Sequence, residues 1–272
     1  MTNYYCDDYK IAKVLFIDKE LDSLPNVHRG TVGYDAVVRE YDERKRARKT
    51  YYLSKPCNLK YAEMADKRQK LVELRKKLIS ELKVSPSEYR VQLSAGYKLT
   101  KKDWDKMRSQ SNPEPITGDL WFENLHMRSR FELNTAIVLR TWDLEFKYEP
   151  ELIIGNRIKY PDFVVYLPEF EVCFIIECMG KIGDQYYGRK ACEKLELFML
   201  NGYIPFRDFL VLGGTSSFIP TKDWVANAIL SIVNSIAAEC VFPADKSIAQ
   251  APVMTFVGDK VLQELLEKEW DY

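Results

Sequence analysis

The sequence predicts an α/β protein, with a mixed central sheet flanked by helices and a basic helical and β region before it. Three observations predict this class. First, two short runs rich in Val, Ile and Phe, FVVYL at 163–167 and EVCFII at 171–176, read as neighbouring strands, with Pro168-Glu169-Phe170 as the turn between them. Second, helical spacing of apolar residues marks Ser129–Trp142, Gln185–Asn201 and Lys222–Ala237. Third, the order across 129–238 is helix, a run of strands, helix, strand, helix, which places helices on a sheet.

Taken in order, residues 1–58 hold two strand-like pieces, Lys13–Ile17 and Thr50–Leu53, separated by loop chemistry and the basic run at 44–49. Tyr61–Leu82 predicts a strong helix, because Met64, Leu71, Leu74, Leu78 and Leu82 form one apolar stripe. Lys67, Arg68, Lys70, Arg75, Lys76 and Lys77 cover the rest. Residues 85–127 read as a connector, with a short helix at Lys101–Met107 and a Pro-rich loop at Ser111–Gly118. Strand-like pieces follow at Glu145–Tyr148, Leu152–Ile154 and Phe209–Leu212. From 239 onward a Pro-containing linker leads to an acidic helix, Gly258–Tyr272. The expected division is therefore an N-terminal region at 1–100, a main domain at 101–238 and a tail at 239–272.

The chain has 272 residues, balanced between 40 Lys or Arg and 40 Asp or Glu, which fits a globular protein with a substantial core. That balance hides an asymmetry. Residues 44–83 carry fourteen Lys or Arg against four Asp or Glu, and residues 1–43 carry five against nine. A basic segment of this kind predicts an anion-binding surface. The six cysteines form no CxxC pair, so they read as reduced core residues and not as a zinc or disulfide framework. The N-terminus lacks a secretory pattern, and no apolar stretch reads as long enough to span a bilayer; a cytoplasmic location is expected. With His28 and His126 the only histidines, histidine-based chemistry is disfavoured.

Chemistry concentrates between Tyr160 and Lys194. Asp162 enters the first strand of the hairpin and Glu177 leaves the second. In an antiparallel pair these positions adjoin, so the carboxylates converge and call for a cation or a shared proton. A hard cation such as Mg²⁺ takes oxygen ligands of this kind. Each residue alone also has an ordinary role: Pro-Asp at a strand entrance, and Glu where a strand meets water.

A helix with Glu132, a strand with Pro161-Asp162, a strand ending in Glu177 and a helix with lysines together resemble the PD-(D/E)XK nuclease superfamily, which includes many restriction endonucleases and Holliday-junction resolvases. The likeness is greater to a branch found in bacterial and phage proteins. Its VRSKSE-like run corresponds here to Met127-Arg128-Ser129-Arg130-Phe131-Glu132. Its Glu-His-x-Gly pattern corresponds to Glu177-Cys178-Met179-Gly180, followed by Tyr187, Lys190, Lys194, Asn201-Gly202 and Pro205. The resemblance spans roughly residues 100–238. It departs at Cys178, where the branch has His, and at Met179, where an ExK motif has its lysine.

The resemblance implies a restriction-endonuclease-like fold and Mg²⁺- or Mn²⁺-dependent hydrolysis of phosphodiesters, with DNA as the expected partner. It implies metal ligands at Asp162 and Glu177, with Glu132 completing the shell directly or through water and the Cys178 backbone carbonyl as a further ligand. The displaced lysine would come from the next helix: Lys194 matches the branch's lysine, Lys190 lies one turn earlier, and Lys181 is a third candidate just beyond the strand. Arg128 and Arg130 would contact phosphate. Lys70, Arg75, Lys76 and Lys77 would supply sequence-independent affinity. A homodimer is compatible with this scheme. Two other classes remain open. Met179 favours an inactive nuclease-fold module that only binds nucleic acid. The stripe at Met64–Leu82 and the acidic tail favour a structural or partner-binding protein.

Overall fold

The computed structural model describes residues 5–29, 36–42, 46–215, 217–218 and 220–244. The elements in chain order are helix α1 (Asp7–Ser23), strands β1 (Val27–Arg29), β2 (Ala36–Asp42) and β3 (Ala47–Tyr52), helix α2 (Leu59–Glu81), strands β4 (Tyr89–Val91) and β5 (Leu99–Thr100), and helix α3 (Lys101–Trp104). Then come β6 (Leu120–Phe122), β7 (Leu125–Met127), α4 (Arg130–Thr141), β8 (Glu145–Tyr148), β9 (Leu152–Ile154) and β10 (Arg157–Lys159). The chain continues through β11 (Phe163–Leu167), β12 (Val172–Met179), α5 (Gln185–Leu200), β13 (Phe209–Gly213), α6 (Lys222–Cys240) and β14 (Val241–Pro243). The architecture is mixed α/β, with several small antiparallel sheets around a central one. None of the described helices is long and apolar enough to cross a membrane.

The central sheet has the order β13-β12-β11-β8. β8, β11 and β12 are antiparallel, and β13 returns parallel to β12 after α5. β5 pairs with the opening residues of β12. Every residue of β11 and β12 is buried, because both faces of the sheet are covered. Alternation divides them. Phe163, Val165, Leu167, Val172, Phe174, Ile176 and Cys178 pack with residues of α4 and α6. Val164, Tyr166, Cys173 and Ile175 face Leu99, Phe198 and Tyr203. The expected hairpin forms, and β12 runs two residues past Glu177.

Lys13–Ile17, expected as a strand, lies inside α1. The run Val14-Leu15-Phe16-Ile17 is apolar on consecutive positions, which is ambiguous between strand and helix. Burial on two sides explains it: Tyr9, Ile11 and Ala12 join the main core, whereas Val14 and Ile17 pack with Leu78 of α2. Asp7 and Asp8 in the first turn favour the helix electrostatically. The stripe on α2 meets α1 as this pairing requires, with Leu71, Leu74 and Leu82 around Leu78.

The boundary expected at residue 100 is not a boundary. The Cys6 N–H bonds to Asn234 Oδ1 of α6 at 3.0 Å, Lys13 pairs with the buried Glu169 in the hairpin turn, and β5 belongs to the central sheet. The segment read as a connector wraps the sheet: Trp104 stacks on Tyr166 with ring centroids 5.2 Å apart, and the Gln110 N–H reaches Tyr148 O at 2.6 Å. At the other end α6 continues to Cys240 and β14 pairs with β4, so residues 239–243 are no linker. The acidic helix expected at 258–272 lies outside the described residues.

Candidate active site

The register of the hairpin builds the site. Phe163 pairs with Ile176, so Asp162 and Glu177 are the next residues outward on adjacent strands. The Cys178 N–H donates to Asp162 Oδ2 at 2.6 Å, which fixes the carboxylate across the strand end. Glu177 points to the α5 side of the sheet and Cys178 to the α4 side, where its thiol lies 3.5 Å from Thr135 Oγ1. The Cys178 side chain is thus turned away from Glu177. Its demonstrated contribution is the amide that holds Asp162.

Lys194 arrives from α5. Its ammonium donates to Glu177 Oε2 at 2.6 Å and to Tyr160 O at 3.0 Å. This is the face on which Met179, two residues beyond Glu177, is buried and apolar. Glu177 is only 3% exposed, and its Oε1 is buried without a hydrogen-bond partner among the described residues. Burial pushes the Glu177 carboxyl up to about 8; Lys194 pulls against this, and Asp162 and Glu132 add to it. For Lys194, burial opposes the charge, but Glu177 and Asp162 more than offset it and its pKa is raised. Asp162 is also raised by burial, against the pull of Lys194 and the Cys178 N–H.

Glu132 stands in the first turn of α4, where Ser129 caps the helix by accepting from the Glu132 N–H at 3.2 Å. Its carboxylate is engaged on both oxygens. Oε1 accepts from Ser129 Oγ at 2.9 Å; Oε2 accepts from Tyr148 Oη at 2.6 Å and from the Arg128 N–H at 3.2 Å. Direct ligation of a cation by Glu132, one of the two expectations, would use the acceptor site that these three bonds leave on Oε1. Burial first and then Asp162 raise its pKa to about 7.

Arg128 is engaged with protein partners. Its Nε pairs with buried Glu149 at 2.6 Å, and its Nη1 and Nη2 reach Pro115 O at 3.1 Å and Glu114 O at 2.6 Å. Asn112 Nδ2 bonds to the same Glu149 oxygen at 2.8 Å. Arg128 therefore ties the Pro-rich loop to the site's edge. Arg130 is exposed and makes no ion pair among the described residues. Lys190, offered as an alternative to Lys194, is exposed with its ammonium 4.6 Å from the Tyr186 ring centroid and is not brought to the carboxylates. Lys181 is exposed as well. On α5 Phe198 is fully buried, whereas Met199 is 50% exposed.

The α2 cations separate into two groups. Arg75 pairs with Asp18 of α1, Lys70 with Asp66 one turn earlier, and Lys67 with Glu20. Arg68 donates to Leu21 O and Leu24 O at the end of α1. Lys67, Arg68 and Arg75 serve the α1–α2 contact, whereas Lys70 pairs only within α2 and is exposed, as are Lys76 and Lys77. Neutralising Lys76 and Lys77 should flatten the salt dependence of any nucleic-acid binding, while Arg75→Gln should act on stability; the slope of log Kd against log salt separates the two.

Sequence reasoning missed Tyr148 and Glu149. Tyr148 is a strand-end tyrosine with nothing nearby in sequence to mark it, and Glu149 is a single carboxylate after an aromatic. Only the sheet brings them to Glu132 and Arg128: the Glu149 N–H bonds to Asp162 O at 3.0 Å.

No protein-family model, curated protein or solved structure matches this chain. What the site can do therefore follows from its own geometry. Among the described residues no group of three His, Cys, Asp or Glu side chains is gathered for a metal ion. Two carboxylates are gathered, Asp162 and Glu177, and one oxygen of Glu177 is buried and unpartnered. Mg²⁺ usually keeps several waters and takes only one or two carboxylates, so this donor set fits a hard divalent cation.

Proposed function

We propose that this protein is a metal-dependent nuclease that hydrolyses phosphodiesters, with DNA as its substrate and a restriction-endonuclease-like arrangement of the central sheet. The observation that carries the reading is Lys194. An ammonium from α5 reaches Glu177 at 2.6 Å, on the face where Met179 supplies no charge, beside a buried carboxylate oxygen that has no partner. A buried charged cluster of this kind at a strand end is costly for stability, which supports a functional reason for it.

Asp162 and Glu177 would hold Mg²⁺ or Mn²⁺, which when bound polarises the phosphate and makes bound water acidic. Lys194 stays protonated beside them, places positive charge where the phosphate gains negative charge, and orients the attacking water. Tyr160 O and Glu177 fix its ammonium, and Cys178 N–H fixes Asp162. Glu132, whose pKa is raised by burial, would limit the negative charge that the phosphate meets wherever it holds its proton. The direct test is labelled single-stranded, double-stranded and branched DNA with Mg²⁺ or Mn²⁺. Absence of cleavage of all three, with metal shown bound, would overturn the reading. Met179 favours the alternative of an inactive nucleic-acid-binding module, for which calorimetry would find no Mn²⁺ binding while DNA binding remained.

Ligand carboxylates must lose their protons, so Mn²⁺ affinity should rise from pH 6 to pH 8.5 as Glu177 ionises, and Glu177→Gln should abolish that rise. Without metal the sign for stability is opposite. Burial raises Glu132 and Glu177 from 4.5 to about 7 and about 8, so the native state holds more protons than the unfolded chain between those values. Stability contributed by these groups is full at low pH, falls as pH rises through that window and levels off above about 8. Thermal unfolding of Glu177→Gln should show a weaker pH dependence there than the parent; equal slopes would contradict this assignment.

A further inference from the structure

We propose that the site takes an unpaired nucleic-acid strand, with the base beside the scissile phosphate stacked on the outer face of Tyr186; this deepens the nuclease reading and rests on it. Tyr186 and Tyr187 are consecutive in the first turn of α5 and occupy opposite environments. Tyr187 is half-buried and lies seven residues before Lys194, on the same face of α5 that carries Lys194 to Glu177. Tyr186 is 71% exposed, an aromatic ring at the rim of the same site. Lys190, one turn later, sets its ammonium 4.6 Å from the ring centroid, so a cation backs the ring while the ring itself remains largely open to solvent. Arg189 and Lys181 are exposed on the same short stretch.

Arg128, just before Glu132, holds the Pro-rich loop through Glu114 O and Pro115 O. The carboxylates are buried: Glu177 is 3% and Glu132 7% exposed. A strand whose bases can turn outward can thread its phosphate down to such carboxylates, whereas a stacked duplex presents its backbone on a wide cylinder. An exposed aromatic beside cations is the chemistry that grips single strands without sequence preference: base on ring, phosphate on ammonium.

The experiment is fluorescence anisotropy in EDTA with an oligothymidine and with a duplex of mixed sequence, so that binding is read without cleavage. The parent should prefer the single strand. Tyr186→Ala should weaken single-strand binding about tenfold and leave duplex binding unchanged. Tyr186→Phe should bind like the parent, because stacking needs only the ring. Circular dichroism checks that α5 is intact. Parental affinity in Tyr186→Ala, an equal loss for both nucleic acids, or no single-strand binding by the parent would each overturn the proposal. Failure of the nuclease reading appears separately, as absent metal-dependent cleavage with this binding pattern intact.

Discussion

Lys194→Ala should lower metal-dependent cleavage by about 10²–10³-fold or more while leaving the fold and nucleic-acid binding nearly intact. The loss follows from geometry: this ammonium is the cation hydrogen-bonded to Glu177, and Met179 offers no substitute. The small cost to folding follows from Glu177 itself. Its carboxyl is already raised to about 8 by burial, so without Lys194 it takes up a proton and remains neutral instead of standing as a buried, unpaired charge. Lys190→Ala should reduce cleavage less, because its ammonium lies over Tyr186. Single-turnover rates on one labelled substrate compare the variants. If Lys194→Ala cleaves like the parent while Lys181→Ala is inactive, the lysine lies at the strand end and the assignment is wrong.

Arg128→Ala should destabilise the protein severely. Glu149 is 4% exposed, and its carboxylate is held by Arg128 and Asn112. Removing one partner of a buried pair costs about 3–5 kcal/mol. At roughly 2–4 °C per kcal/mol for a chain of this size class, unfolding should move down by on the order of 10 °C. Changing Glu149→Gln in the same chain should recover part of that loss, since it removes the stranded charge. Arg130→Ala should leave unfolding unchanged. A parental Tm for Arg128→Ala together with weakened DNA binding would restore Arg128 to the phosphate-contacting role that its position beside Glu132 suggests in sequence.

The site was legible in the sequence where strand geometry alone determines position. A Pro-Asp at the entry of one apolar run and a Glu at the end of the next must converge if the runs form a hairpin, and Phe163 pairing with Ile176 brings them together. The periodicity of α2, α4, α5 and α6 was equally readable, because each buries one face. Reading failed where an element has two buried sides. Lys13–Ile17 has no polar face to reveal its period, since α1 lies between α2 and α6. It was incomplete for charges: Arg75 and Arg128 look like part of a phosphate-binding set until Asp18 and Glu149 are found opposite them.

The sequence by itself determined the α/β class, the hairpin and its paired carboxylates, and the lysine-bearing helix that follows, because these rest on local periodicity and on the fixed geometry of adjacent strands. Only the tertiary structure decided which lysine meets Glu177, which arginine is committed to a buried carboxylate, and that residues before 100 belong to the same core. Those outcomes depend on distances between side chains far apart in sequence, and hydrophobic periodicity carries no information about them.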